Sequence, residues 1–346
     1  MIKGQHINPE MLTLGRELRG ENLTDLAKRF GISPAYLHKL ENDPQVVNPD
    51  LIQLITTELN LPESFFYQSG EIIPSALIYR RRDKVTSKDL TRIEATVNLY
   101  RIGIEKLLES SSFKQADLPI LPTEKTGSPN DSAKALRKIW KVEKGAIPNL
   151  NNLLEKFHIL HVSFDFGTDR VDGKSAYTKT GQPIIFTNSR VHGDRQRFTL
   201  AYQLGHLVMH AKSEFTFDKD ISHEANVFAA EFLMPEKEIA KDFQEGVTIP
   251  ILAKLKKKWQ ASMISILYRA HDLSIITDNQ KRYLEQQFNQ LGIRRREPAE
   301  LDIPREQATL VRELITKLKA RQKFTVKQLA AFFNLNEKEF LEKYNY

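Results

Sequence analysis

The stretch NLTDLAKRFGISPAYLHKLEND, residues 22–43, leaves the chain few structural options. Leu23, Leu26, Ala27 and Phe30 recur at helical spacing and give a short helix one apolar face. Gly31 allows the positive φ that ends it, and Ser33 followed by Pro34 supplies a cap and a first-turn residue for a second helix with Leu37 and Leu40 as its buried stripe. Two short amphipathic helices around such a turn make a helix-turn-helix. A further helix from Pro49, PDLIQLITTELN, and the apolar LPESFFYQSG segment close a small bundle, placed at residues 1–75.

Behind the bundle the text changes. Residues 76–130 read as linker and long helix. A polar, basic run from Ser75 to Lys88 contains Arg80, Arg81 and Arg82. A helical pattern from Ser87 to Ser111 follows, with Ile93, Val97, Tyr100, Ile104 and Leu107 at helical spacing. SSFKQADLPILPTEKTGSPNDS, rich in Ser and Pro, reads as a linker or exposed loop. Residues 131–245 open with helices and continue as three period-two segments, HILHVSFDF, KSAYTK and QPIIFTN, which predict three short strands of a small sheet. Two apolar helices come next, FTLAYQLGHLVMH and EANVFAAEFLMP, the second stopped by proline. Residues 246–346 read as helical, and their tail FTVKQLAAFFNLNEKEFLEKY again looks like helix, turn, helix. The fold class predicted is α+β: mainly α with a small β-sheet.

The 346 residues contain no cysteine, which excludes disulfides, thiolate zinc sites and cysteine nucleophiles. No run approaches the roughly 18 apolar residues of a membrane span, so a soluble cytoplasmic protein is expected, with no membrane partner. The net charge of +7 is unevenly placed. Residues 1–90 hold 11 Lys+Arg against 12 Asp+Glu, whereas residues 251–346 hold 19 against 11. The basic excess lies at the C-terminal end, either as solvated helix faces or as a surface for nucleic acid or an acidic partner.

FTLAYQLGHLVMH, residues 198–210, has the apolar rhythm of a metalloprotease active-site helix. An HExxH helix sets two imidazoles one turn apart on one face, where they converge on one ion, and the glutamate between them takes a proton from the metal-bound water. The register in this chain is Tyr202, Gln203, Leu204, Gly205, His206, so a histidine and the glutamate are replaced. A third ligand would come from another helix, and Glu224 is the natural candidate. His210, one turn beyond His206, is a spare imidazole that leaves open a displaced His206/His210/Glu224 set. A helical histidine beside Gly205 and an acid at a helix start explain His206 and Glu224 without any metal.

RQRFTLAYQLGHLVMH, with EANVFAAEFLMP, SILYRAHDLSIITDNQ and IRRREPAELDIP, resembles the ImmA/IrrE family of zinc-peptidase-like proteins, and residues 8–66 resemble the Xre family of helix-turn-helix regulators. The first resemblance implies a zincin-like peptidase-type domain whose metal ligands fall on Tyr202, His206 and Glu224 and whose catalytic glutamate falls on Gln203. His206 and Glu224 match that pattern; Tyr202 and Gln203 depart from it. An amide is no general base near neutral pH, and a phenol with a pKa of about 10 is a poorer ligand than imidazole. No catalytic residue is therefore assigned, Gln203 being the degenerate position. No cofactor is the first expectation, with zinc the one the motif leaves open. Arg195 and Arg197 either hold an anionic ligand or support the loop leading into the helix.

The second resemblance implies double-stranded DNA as partner. The second helix of such a motif enters the major groove N-terminus first, which selects Ser33, Ala35, Tyr36 and Lys39, with Asn42 and the capping Asn22 or Thr24 toward phosphates. The arginine run at 80–82 could add phosphate charge that the bundle lacks. The expected function is a DNA-binding transcriptional regulator of the repressor kind, binding as a homodimer, with a pseudopeptidase domain that receives a small-molecule or protein ligand in its cleft. The alternatives are an antitoxin-like repressor that grips a partner toxin, and an active zinc metallopeptidase cleaving a repressor with Glu231 as replacement base.

Overall fold

Side-chain caps lay out the N-terminal bundle. In the computed structural model, which describes residues 6–73, 79–81, 85–142, 144–210 and 220–344, α1 (Pro9–Leu18), α2 (Leu23–Arg29), α3 (Pro34–Leu40) and α4 (Pro49–Leu59) each start on a capping side chain. Asn8, Asn22, Ser33 and Asn48 accept from the backbone N–H of Glu10, Asp25, Tyr36 and Leu51 at 2.7–3.1 Å. Each cap is worth about 0.5–2 kcal/mol. Gly31 takes φ 65° at the joint between α2 and α3, and Leu26, Leu37, Leu40 and Ile55 are completely buried, together with Phe65 of α5 (Glu63–Tyr67).

The sheet has four strands in the order β1-β3-β4-β2: β1 (Tyr79–Arg81), β2 (Leu160–Phe164), β3 (Val171–Tyr177) and β4 (Pro183–Asn188). The period-two segments account for β2, β3 and β4. The fourth strand comes from the basic run read as linker, and it pairs antiparallel with β3 at the sheet edge. It carries no alternating pattern because an edge strand this short is held by backbone bonds and one long side chain, Arg80, described below.

One face of the sheet carries α10 (Gly193–Met209), crossed by α11 (Ile221–Leu233), which in turn packs on α8 (Pro129–Ile139). A side chain at Gly205 would meet the Phe228 ring at 2.9 Å, so glycine is what lets α10 and α11 approach. Short α7 (Thr123–Thr126) and α9 (Leu150–Lys156) border this layer. α12 (Glu236–Ile239), α13 (Ile249–Trp259), α14 (Met263–Asp272) and α15 (Asp278–Gln290) complete the second of two hydrophobic cores.

The first core joins parts far apart in sequence. It unites the N-terminal bundle, α6 (Ser87–Glu109), the opposite sheet face, and α16 (Leu310–Gln322), α17 (Val326–Phe332) and α18 (Glu337–Tyr344). The tail does form a helix-turn-helix, but its apolar face is occupied: Phe340 and Tyr344 are buried, and the Tyr344 ring lies 5.4 Å from that of Tyr100 on α6. Arg19 pairs with Glu339 at 2.9 Å, fastening the tail to α1. The Ser- and Pro-rich segment after α6 is also anchored, with Leu121 N–H donating to Val208 O at 2.8 Å and Ala116 N–H to Gln182 Oε1 at 2.9 Å. Among the described residues no helix is long and apolar enough to cross a membrane.

Candidate functional site

Two regions bear chemistry. On α3, Leu37 and Leu40 point inward, and Ser33, Ala35, Tyr36, His38, Lys39 and Asn42 are exposed. The Ser33 hydroxyl caps the helix, so its oxygen is already engaged by Tyr36 N–H. Asn42 donates to the His38 carbonyl at 2.7 Å. Glu41, the acid at the end of this helix, is held by Nε and Nη2 of the Arg16 guanidinium at 2.6 and 2.9 Å. That ion pair removes a charge that would repel phosphate, and leaves Lys39 facing solvent. His38 lies one turn beyond the residues next to the Gly31 joint, and nothing in its spacing marks it.

The second region lies where α10 meets α11. His206 and His210 approach through their Nδ1 atoms at 2.8 Å, and His210 Nε2 donates to Glu224 Oε2 at 2.8 Å. A carboxylate only accepts, so while both rings are neutral His206 donates to His210 and keeps a bare lone pair on Nε2. That nitrogen is buried and has no hydrogen-bond partner among the described residues. Burial, with His210 beside it, holds the His206 pKa down to about 2. Tyr202 packs edge-on against His206 with ring centroids 4.7 Å apart. Its phenol is pushed up by burial, with Ser222 and Arg80 acting against the shift. Gln203 is completely buried, and among the described residues neither the nitrogen nor the oxygen of its amide has a hydrogen-bond partner.

Residues 154–271 match the model of the IrrE N-terminal-like domain, and residues 15–66 match a helix-turn-helix model. Over 97 residues the chain is 35% identical to the radiation response metalloprotease IrrE of Deinococcus radiodurans, covering 25% of this chain and 30% of that relative's length. This chain carries an Xre-type helix-turn-helix followed by an IrrE-like domain. The Tyr202–Glu224 cluster sits inside the IrrE-like domain, and α3 inside the DNA-binding one.

The donor set of the IrrE-like domain does not fit a zinc ion. His206 Nε2 is one atom of the right chemistry, but His210 and Glu224 are engaged with each other, and the neutral phenol of Tyr202 is a weak donor. Among the described residues no three His, Cys, Asp or Glu side chains form a metal-holding group. Glu231, weighed above as a base, is buried with its carboxylate on Arg269 and beside Glu236 N–H. Both arginines ahead of the motif are structural. Arg195 pairs with Asp172, one contact being 2.7 Å, and Arg197 pairs with Glu306 while donating to Ile147 O at 2.7 Å.

Within the arginine run, the side chain of Arg80 stands elsewhere than expected. Arg80 contributes no phosphate charge to the bundle; it lies on the IrrE-like domain, donating to Thr199 Oγ1 at 2.6 Å with Asp172 3.4 Å away. Arg82 lies outside the described residues. Two open cavities, of about 660 and 750 Å3, lie away from His206. The larger sits where Leu18 of α1 and Tyr100 of α6 face Phe164 and Phe166 at the end of β2.

Proposed function

We propose that the chain is a transcriptional repressor that binds double-stranded DNA as a homodimer through α3, while its IrrE-like domain binds a ligand or partner without cutting it. The single observation behind the non-cleaving part is Gln203. The active-site glutamate of an HExxH helix takes a proton from water, and an amide in its place has no basic site near neutral pH. The unsuited donor set around His206 supports the same reading. Exposure of Tyr36 and Lys39 on α3 supports DNA contact, and one short recognition helix covers only a half-site, so a two-fold dimer doubles the contacts.

Two measurements test this. In a gel shift on the DNA upstream of its own gene, the chain should form a complex that weakens steeply with salt, and Lys39→Ala should lower affinity about tenfold or more. Incubated with candidate repressors, the chain should produce no fragments, with or without added zinc. Hydrolysis that a chelator abolishes would overturn the reading.

A further inference from the structure

β1 is a poor strand by itself. It pairs three residues, Tyr79 with Lys174, Arg80 with Gly173 and Arg81 with Val171, and its register shifts between Arg80 and Arg81. β3 runs seven residues, Val171–Tyr177, and the described residues of β1 pair with Val171, Gly173 and Lys174 of it. What β1 does contribute is a side chain. The Arg80 guanidinium donates to Thr199, faces Asp172 at 3.4 Å, and stands 4.6 Å from the centre of the Phe198 ring and 5.9 Å from that of Tyr202. A carboxylate, a hydroxyl and two aromatic faces form a socket that suits a planar guanidinium better than an ammonium.

We propose that this β3 edge and its socket form the docking site for an extended, arginine-bearing peptide of a partner protein, and that residues 79–81 of the chain are its resident competitor. The proposal rests on the reading of the IrrE-like domain as a binding module and names the class of partner it takes. An added strand gains main-chain hydrogen bonds along the sheet edge, and the socket gives selectivity. Exchange is inexpensive at the charged end. Asp172, only 2% exposed, keeps Arg195 when Arg80 leaves, so no bare charge is stranded. Beneath the edge lies the unpartnered Gln203, its stem 3.9 Å from where a side chain on Gly173 would begin. Gly173 is the residue opposite Arg80. A side chain there would press on Thr199 at 2.5 Å, so glycine keeps this approach open. In sequence β1 lies between the DNA-binding bundle and α6, so displacing it alters the connection to α3.

The probe is a fluorescein-labelled peptide with the sequence of residues 76–84, ALIYRRRDK, titrated by anisotropy with the full chain. The Arg80→Ala chain should bind it at least tenfold more tightly than the unaltered chain, because the resident strand has lost its anchor. The same peptide carrying R80A should bind either chain at least tenfold more weakly. Equal affinity of the two chains, or of the two peptides, overturns the proposal. A second measurement needs no variant. On the unaltered chain, excess peptide should slow hydrogen exchange across Val171–Tyr177 and leave the opposite edge, Leu160–Phe164, unchanged; equal effects at both edges, or none, overturn it. Cleavage of the bound peptide would sink the non-cleaving reading and leave the docking site standing. Absence of binding in a chain that still shifts DNA and cuts nothing would sink the docking site alone.

Discussion

Gln196 and Gln203 lie on the same helix, α10, and both are completely buried, yet their surroundings are opposite. Gln196 is closed on both sides: its Nε2 donates to Glu306 O at 3.0 Å and its Oε1 accepts from Glu306 N–H at 2.9 Å. The Glu306 carboxylate accepts from Leu150 and Asn151 N–H at 3.0 and 2.6 Å and pairs with Arg197. Next to it, His161 bonds Asn151 Oδ1 and Thr187 Oγ1, both at 2.7 Å. Gln203 and the neighbouring His206 Nε2 have no hydrogen-bond partner among the described residues. A buried polar group left unmade costs about 1–3 kcal/mol, whereas a satisfied one costs little. The first half of α10 is built to hold the extended chain around Glu306 in place. The second half keeps the Gln203 amide and His206 Nε2 without a partner among the described residues, which is what the proposed binding role leads one to expect there.

The largest effect that would sharpen this contrast is at the closed end. Arg197→Ala leaves the buried Glu306 carboxylate with its two backbone N–H donors but no countercharge and should cost about 3–5 kcal/mol, read from the urea midpoint. A loss near zero would mean that water reaches Glu306 and the closed end is not closed. The direct comparison is smaller. Gln196→Leu should destabilise by about 1–3 kcal/mol, because it strands both backbone groups of Glu306, while Gln203→Leu should be neutral or stabilising. Equal losses in the two variants would break the comparison.

The smallest effect is in the pH dependence. Burial, with Arg305 nearby, lowers the His161 pKa from its usual value to about 3. The folded pKa is thus below the unfolded one, so the unfolded chain takes up a proton that the folded chain refuses. Stability from this group is complete above about pH 6.5 and falls as the pH drops toward 3, by about 1 kcal/mol between pH 6.5 and 5.5. His161→Gln should flatten that slope by about this amount in urea titrations at the two pH values. An unchanged slope would show that His161 is protonated in the folded chain.

Much of the architecture was legible locally. The Ser33–Pro34 cap, the Gly31 joint and the Leu37/Leu40 stripe predicted α3 to its first residue, and the periodicity from Ser87 predicted α6. HILHVSFDF, KSAYTK and QPIIFTN predicted β2, β3 and β4. The Tyr202–Gln203–His206 register was visible as a departure from the HExxH pattern, and the helix of Glu224 was visible from its apolar run, although it starts at Ile221. β1 was not legible, because three residues of an edge strand carry no period and their partner stands 90 or more positions away. Nor was the role of Arg195 and Arg197, whose partners Asp172 and Glu306 give no sign in sequence of lying nearby.

The sequence by itself determined the local elements of this protein and the amide that stands at position 203 of α10, because caps, turns and periodicity act over a few residues and a glutamine is an amide in any fold. Tertiary structure alone decided which polar groups are satisfied. Gln196 and Gln203 are the same residue type on one helix, and only long-range contacts, from Glu306 in one case and from none among the described residues in the other, separate a satisfied glutamine from an unpartnered one.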